Sequence, residues 1–165
     1  HRDLHSFPTR RSSDLRGLLM WIHTPHLDDK YKGTKMMVDY LNGHKGVDPG
    51  KVAFDHCEEH TIKMILDSGF WASMTIYPMT KNSPPRVIDS VEIFGLERMM
   101  ADASGDWGPS DPKTLHDAVF EMKKRGHRGQ DVETLFYNNP CYFLNQCPKF
   151  KPQPEIAKSV AWANG

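Results

Sequence analysis

Four short apolar runs, each followed by a helical pattern, constrain this chain more than any other feature. They occupy residues 18–22, 52–54, 71–77 and 99–101, and runs this short and this apolar read as strands of a parallel sheet buried on both faces. Helical spacing follows at 33–41, carried by Met36, Met37, Tyr40 and Leu41, and at 59–68, carried by Ile62, Ile65 and Leu66. Two more helices are expected at 86–94 and 113–125. Gly69, Gly95 and Gly126 stop three of these segments, and Asp111-Pro112 opens the fourth. A helical piece at 131–137 precedes Asn138-Asn139-Pro140, and a last short one surrounds Phe143-Leu144.

Such a rhythm fits half of an eight-stranded barrel or part of a doubly wound sheet. No GxGxxG stands behind any run, which argues against a dinucleotide fold. The runs end instead in ligand-type residues: His23 after the first, His56 after the second, and Asp102 and Asp106 after the fourth. A divalent ion that activates water needs neutral imidazoles and carboxylates converging from different strands, with one position left open. Ligand-type residues collected at several strand ends favour the barrel.

The neighbours of these residues have plainer readings. His26 and His60 could orient substrate, although a plain surface or capping role is the favoured reading of each. Asp55 precedes His56 and so should point to the opposite side of the strand, into a structural hydrogen bond. Glu58 and Glu59 suit the first turn of a helix. Lys81 stands in the loop after the third strand, where it could meet an anionic group but reads more simply as solvated surface. Trp107 could wall a pocket or pack under a loop.

Composition excludes little and suggests no special partner. The 165 residues carry no formal net charge and no basic block, so there is no case for a nucleic-acid or membrane surface. No apolar stretch approaches the roughly 20 residues of a membrane span. Cys57, Cys141 and Cys147 form no CxxC pair, which fits a reducing compartment. The expectation is a soluble, cytoplasmic protein.

Several stretches together resemble a known family. They are His23-Thr24-Pro25-His26, the run from Asp55 to Thr61 (Asp-His-Cys-Glu-Glu-His-Thr), the run from Gly69 to Pro78, and Asp106-Trp107-Gly108-Pro109-Ser110-Asp111-Pro112. They resemble the TatD-related branch of the amidohydrolase superfamily, most closely the TatD-like hydrolases found with the ebo-type metabolite-export gene cluster. The resemblance implies a metal-dependent (β/α)8 TIM barrel, with residues 16–150 as its C-terminal half, strands five to eight. It makes His23 and His56 metal ligands, and a strand-eight aspartate both ligand and proton acceptor. Asp106 fits the family's Asp-Trp-Gly motif and is the favoured position; Asp102, nearer the strand, resembles the Thr-Asp-Ala-Pro placement of TatD itself. His26, His60 and Trp107 become substrate-contact candidates. Asn139-Pro140 matches a feature read as structural. One or two ions of zinc, magnesium or manganese and a small-molecule substrate are implied. A TatD-type nuclease and a non-catalytic metabolite-binding or export-associated barrel are the alternatives, and the oligomeric state stays open. A phosphotriesterase or lactonase type would differ by a bridging lysine after strand four.

Residues 1–15 fit neither period, and all but the last of them match, in one reading frame, the translation of a DNA string that resembles a widely used sequencing adapter. The expectation is therefore that they are not native, that a His-x-His pair and a strand-four glutamate belong to an N-terminal half not written here, and that residues 151–165 are a tail. A half-barrel alone should be poorly soluble and inactive, because its inner face and two sheet edges lack cover.

Overall fold

The computed structural model describes residues 18–25, 29–77, 81–105 and 111–151. Four strands form one parallel sheet in the order β1-β2-β3-β4 (Met20–His23, Val52–Asp55, Trp71–Ile76 and Met99–Ala103). Helices follow each strand: α1 (Lys30–Asn42), α2 (Glu59–Asp67), α3 (Pro84–Phe94) and α4 (Thr114–Lys124). The chain is thus an α/β fold in which every strand is hydrogen-bonded to its neighbour in sequence. No described helix is long and apolar enough to cross a membrane.

Alternation along the strands separates two faces. Phe54, Ala72, Met74, Ile76, Met99 and Ala101 join Ile62 and Ile65 of α2 and Val87, Ile88 and Val91 of α3 in the main core. Phe54 lies against Phe70 with ring centroids 5.3 Å apart. Each fully buried side chain of this kind contributes roughly 1.5–3 kcal/mol, so this layer fixes how the helices sit on the sheet. The opposite face carries Trp21, Ala53, Trp71 and Met100, closed at its lower end by Phe143, whose ring meets both tryptophans at 5.7 Å. Continuing those same rows toward the carboxyl ends of the strands leads to His23, Asp55, Ser73, Thr75 and Asp102. The face is therefore apolar at one end and polar at the other.

Most element ends shift by a residue or two from the sequence reading, and three differences have a clear local cause or bear on the site. β1 runs to His23, so the histidine is the last residue of the strand. Helix α1 begins at Lys30, three residues early, because the Asp29 side chain accepts the Lys32 backbone N–H at 2.9 Å and caps it. The third difference concerns Asn138-Asn139-Pro140, which does not interrupt the last helical run. Helix α5 (Gly129–Glu133) passes through a wide turn, Thr134–Asn138, directly into α6 (Asn139–Asn145). Asn139 N–H bonds back to Thr134 O, and this wider ring accommodates Pro140, which has no N–H to give. The Asn139 side chain also donates to Leu96 O and Met99 O, both at 2.7 Å, tying the helical run to the start of β4.

Candidate metal centre

At the carboxyl end of the sheet the backbone makes one unusual move. His56, immediately after β2, adopts a left-handed conformation with φ of 56°, which is costly for a residue with a Cβ and persists only where the surroundings hold it. They do so here. Thr24 Oγ1 donates to Asp55 O at 2.9 Å and His56 O at 3.2 Å, and Lys30 Nζ donates to His56 O at 2.9 Å while pairing with Glu58 at 2.7 Å. Asn82, almost fully buried, donates to Cys57 O at 2.9 Å.

The turn overrides the period of two. Strand alternation predicts that Asp55 points away from His56; instead its carboxylate lies in the same cluster as both histidines. Alternation places successive side chains on opposite faces only while the chain stays extended, and His56 has already left the strand. His23 Nδ1 and His56 Nε2 are 2.8 Å apart, and Asp55 Oδ2 lies 3.3 Å from His56 Nε2 and 3.6 Å from His23 Nδ1.

These three atoms suit a cation. Ligands about 2.1 Å from a tetrahedrally coordinated zinc stand about 3.4 Å from one another, and the two carboxylate–imidazole separations bracket that edge. The imidazole pair, at 2.8 Å, stands at hydrogen-bond distance and would have to open slightly to admit an ion. The chemistry of the donor set, two imidazoles and a carboxylate, fits zinc or manganese.

Each donor is oriented by what lies behind it. Thr75 Oγ1 gives its proton to Asp55 Oδ1 at 2.9 Å, so it accepts from His56 Nδ1 at 2.6 Å. His56 is therefore protonated on Nδ1 and turns the lone pair of Nε2 toward the cluster. Asp55 Oδ1 also accepts the His56 backbone N–H at 2.7 Å, which leaves Oδ2 as the oxygen facing the histidines. Such outer contacts set ligand direction and basicity. His56 and Asp55 are buried, whereas the His23 side chain is 71 % exposed on the edge strand.

An open cleft of about 280 Å³ lies over this cluster, lined by His23, Asp55, His56, Thr75, Asp102 and residues 103–105. Asp102 accepts a hydrogen bond from Ser73 Oγ at 2.6 Å. Burial, and then the charge of Asp55, push its carboxyl up to about 6, against the hydrogen bond from Ser73 and the charge of Lys81. Lys81, expected on solvated surface, places Nζ 3.3 Å from His56 Nε2.

The structure thus brings His23, His56 and Asp102 together and adds Asp55, Thr75 and Lys81. His60 does not line the cleft; it lies exposed on α2 in a group with Glu58 and Glu59, whose carboxylates are engaged by Lys30 and Arg86. The expected sites at His26, Asp106 and Trp107 lie outside the described residues. Cys57 is buried, with its thiol pushed far up by burial, and serves the core rather than the cleft. No protein-family model matches the chain, and no curated protein is similar to it.

Proposed function

We propose that this chain is the C-terminal half of a TIM-barrel, metal-dependent hydrolase of the TatD-related type, acting on an ester, amide or phosphoester of a small metabolite. The observation that supports this reading is the convergence of His23 Nδ1, Asp55 Oδ2 and His56 Nε2 at the carboxyl ends of adjacent parallel strands, where barrel enzymes collect their catalytic groups. The parallel sheet with a helix after each strand accords with strands five to eight of such a barrel.

A divalent ion at such a site lowers the pKa of bound water toward neutrality and polarises the bond to be cut. The residues of the chain divide the remaining work. Thr75 holds His56 in the Nδ1-protonated tautomer, and the His56 backbone and Thr75 together keep Asp55 turned inward. Asp102, with its carboxyl raised to about 6, is ionised at neutral pH and close enough to its pKa to take a proton and return it to a leaving group. Asp102 lines the cleft and is positioned for this role, while Asp106, the position favoured by the resemblance, lies outside the described residues.

Metal binding by the purified protein tests this. The expected result is uptake of one zinc or manganese ion at the cluster, with affinity reduced at least about 10²-fold in His56→Ala and in Asp55→Asn. Absence of divalent-ion binding, or binding indifferent to both substitutions, would overturn it.

A further inference from the structure

Lys81 is a group at the cleft that a metal centre alone does not explain. Its position is built rather than incidental. The Lys81 backbone N–H donates to Tyr77 O at 2.8 Å, Arg86 donates to Lys81 O at 3.1 Å, and the next residue, Asn82, returns to the sheet through Tyr77 N–H at 2.9 Å. Asn82 is 2 % exposed and bridges to Ile76 of β3. Arg86 in turn is held by Glu59 through two hydrogen bonds of 2.8 and 2.7 Å. The loop therefore carries Lys81 to the mouth of the cleft from two directions.

The ammonium has no carboxylate within ion-pairing distance among the described residues, whereas Lys30, the other lysine that contacts His56, is paired with Glu58. Its contacts are His56 Nε2 at 3.3 Å and the face of the Tyr77 ring at 5.9 Å. A cation seated on His23, Asp55 and His56 would take the Nε2 lone pair that Lys81 now meets at 3.3 Å and would stand close to this second positive group. Two cations this close repel one another strongly in a partly buried site, and an anion with two oxygens relieves the repulsion by meeting both. Asp55 is held by the His56 backbone and Thr75, and Asp102 by Ser73, and among the described residues neither carboxylate lies within ion-pairing distance of Lys81, which leaves its ammonium open to an anionic group of a ligand.

We infer that Lys81 is a substrate-recognition residue, selecting molecules that carry an oxyanion, a carboxylate or a phosphate, beside the bond to be cut. This deepens the metal-hydrolase reading and rests on it for the identity of the second cation. Lysine suits the task as a compact charge with rotatable donors that can leave His56 when the anion arrives.

The test is calorimetric titration of the zinc-loaded protein with inorganic phosphate and, separately, with acetate, for the wild type, Lys81→Met and Lys81→Arg. Zinc stoichiometry is measured independently on each. The expected result is that at least one anion binds the wild type, about tenfold or more weaker in Lys81→Met and largely recovered in Lys81→Arg, with zinc content unchanged. Preference for phosphate or for acetate identifies the oxyanion. Equal anion affinity in wild type and Lys81→Met, or no anion binding to either, overturns the inference while leaving the metal site intact. If no zinc binds, the same titrations on the metal-free protein decide the Lys81 subsite separately, and the hydrolase reading alone falls.

Discussion

Thr75 Oγ1 lies 2.6 Å from His56 Nδ1, and by giving its own proton to Asp55 it decides which nitrogen of His56 faces the cleft. Replacing Thr75 with valine keeps the shape and removes the acceptor. The expected outcome is a 10–100-fold weaker zinc affinity and a loss of about 1–3 kcal/mol of stability from the stranded Nδ1–H. Thr75→Ser should restore most of both. Competition against a chromophoric chelator and urea unfolding read the two effects separately, and unchanged zinc affinity in Thr75→Val would refute the orienting role.

Asp102 makes stability depend on pH. Its carboxyl ionises near 3.8 when unfolded and near 6 when folded, so the folded state holds the proton more tightly. The stability it contributes is full below about 3.8 and is lost as pH rises through about 6, by at most about 3 kcal/mol. Asp102→Asn, measured with chelator present, should therefore raise stability at pH 8 by about 1–3 kcal/mol and leave it nearly unchanged at pH 3.5. A gain of equal size at both values would show that desolvation of the ionised carboxylate is not the cause.

The left-handed backbone at His56 separates folding from ligation. Asparagine tolerates that conformation far better than alanine, so His56→Asn should be more stable than His56→Ala by about 1 kcal/mol. Both variants lack the Nε2 ligand and should lose metal affinity alike. Thermal melts of the two variants check the first expectation, and equal stability would mean that the φ of 56° carries no strain.

Asn139 bears on the fold and not on the cleft. Its amide donates to two carbonyls at the entry to β4, and Asn139→Leu should cost roughly 1–2 kcal/mol, because Met99 O loses this donor while Leu96 O keeps the Met99 N–H at 3.2 Å. Zinc affinity of the folded variant should be unchanged. A large loss of metal binding in the folded Asn139→Leu variant would instead show that the position of β4 is coupled to the site.

Local pattern was enough to mark the strand–helix rhythm, because short apolar runs and helical spacing record which side of each element is buried, and burial is what drives the packing. The same pattern picked out His23, His56 and an aspartate, Asp102 or Asp106, since each stands at or just past the end of an apolar run, whereas the structural reading of Asn139-Pro140 came from the resemblance. It could not place Asp55. The rule that sends alternate residues to opposite faces assumes an extended chain, and the chain turns at His56 because Thr24, Lys30 and Asn82, distant in sequence, supply the hydrogen bonds that hold the turn. Thr75 and Lys81 were hidden for a related reason: one is an ordinary β-branched residue in a buried strand, the other a lysine in a polar loop.

What the sequence by itself determined is the kind of element at each position and the strand ends where ligand-type residues stand, since those properties arise from burial along a single segment. Only the tertiary structure decided which of these residues meet, which nitrogen and which oxygen each presents, and that the Lys81 ammonium stands beside His56. Those properties depend on contacts between β1, β2, β3 and the loops after them, 19 to 33 residues apart in the contacts that join His23, Asp55, His56, Thr75 and Lys81, and no periodicity within one segment encodes a contact between two.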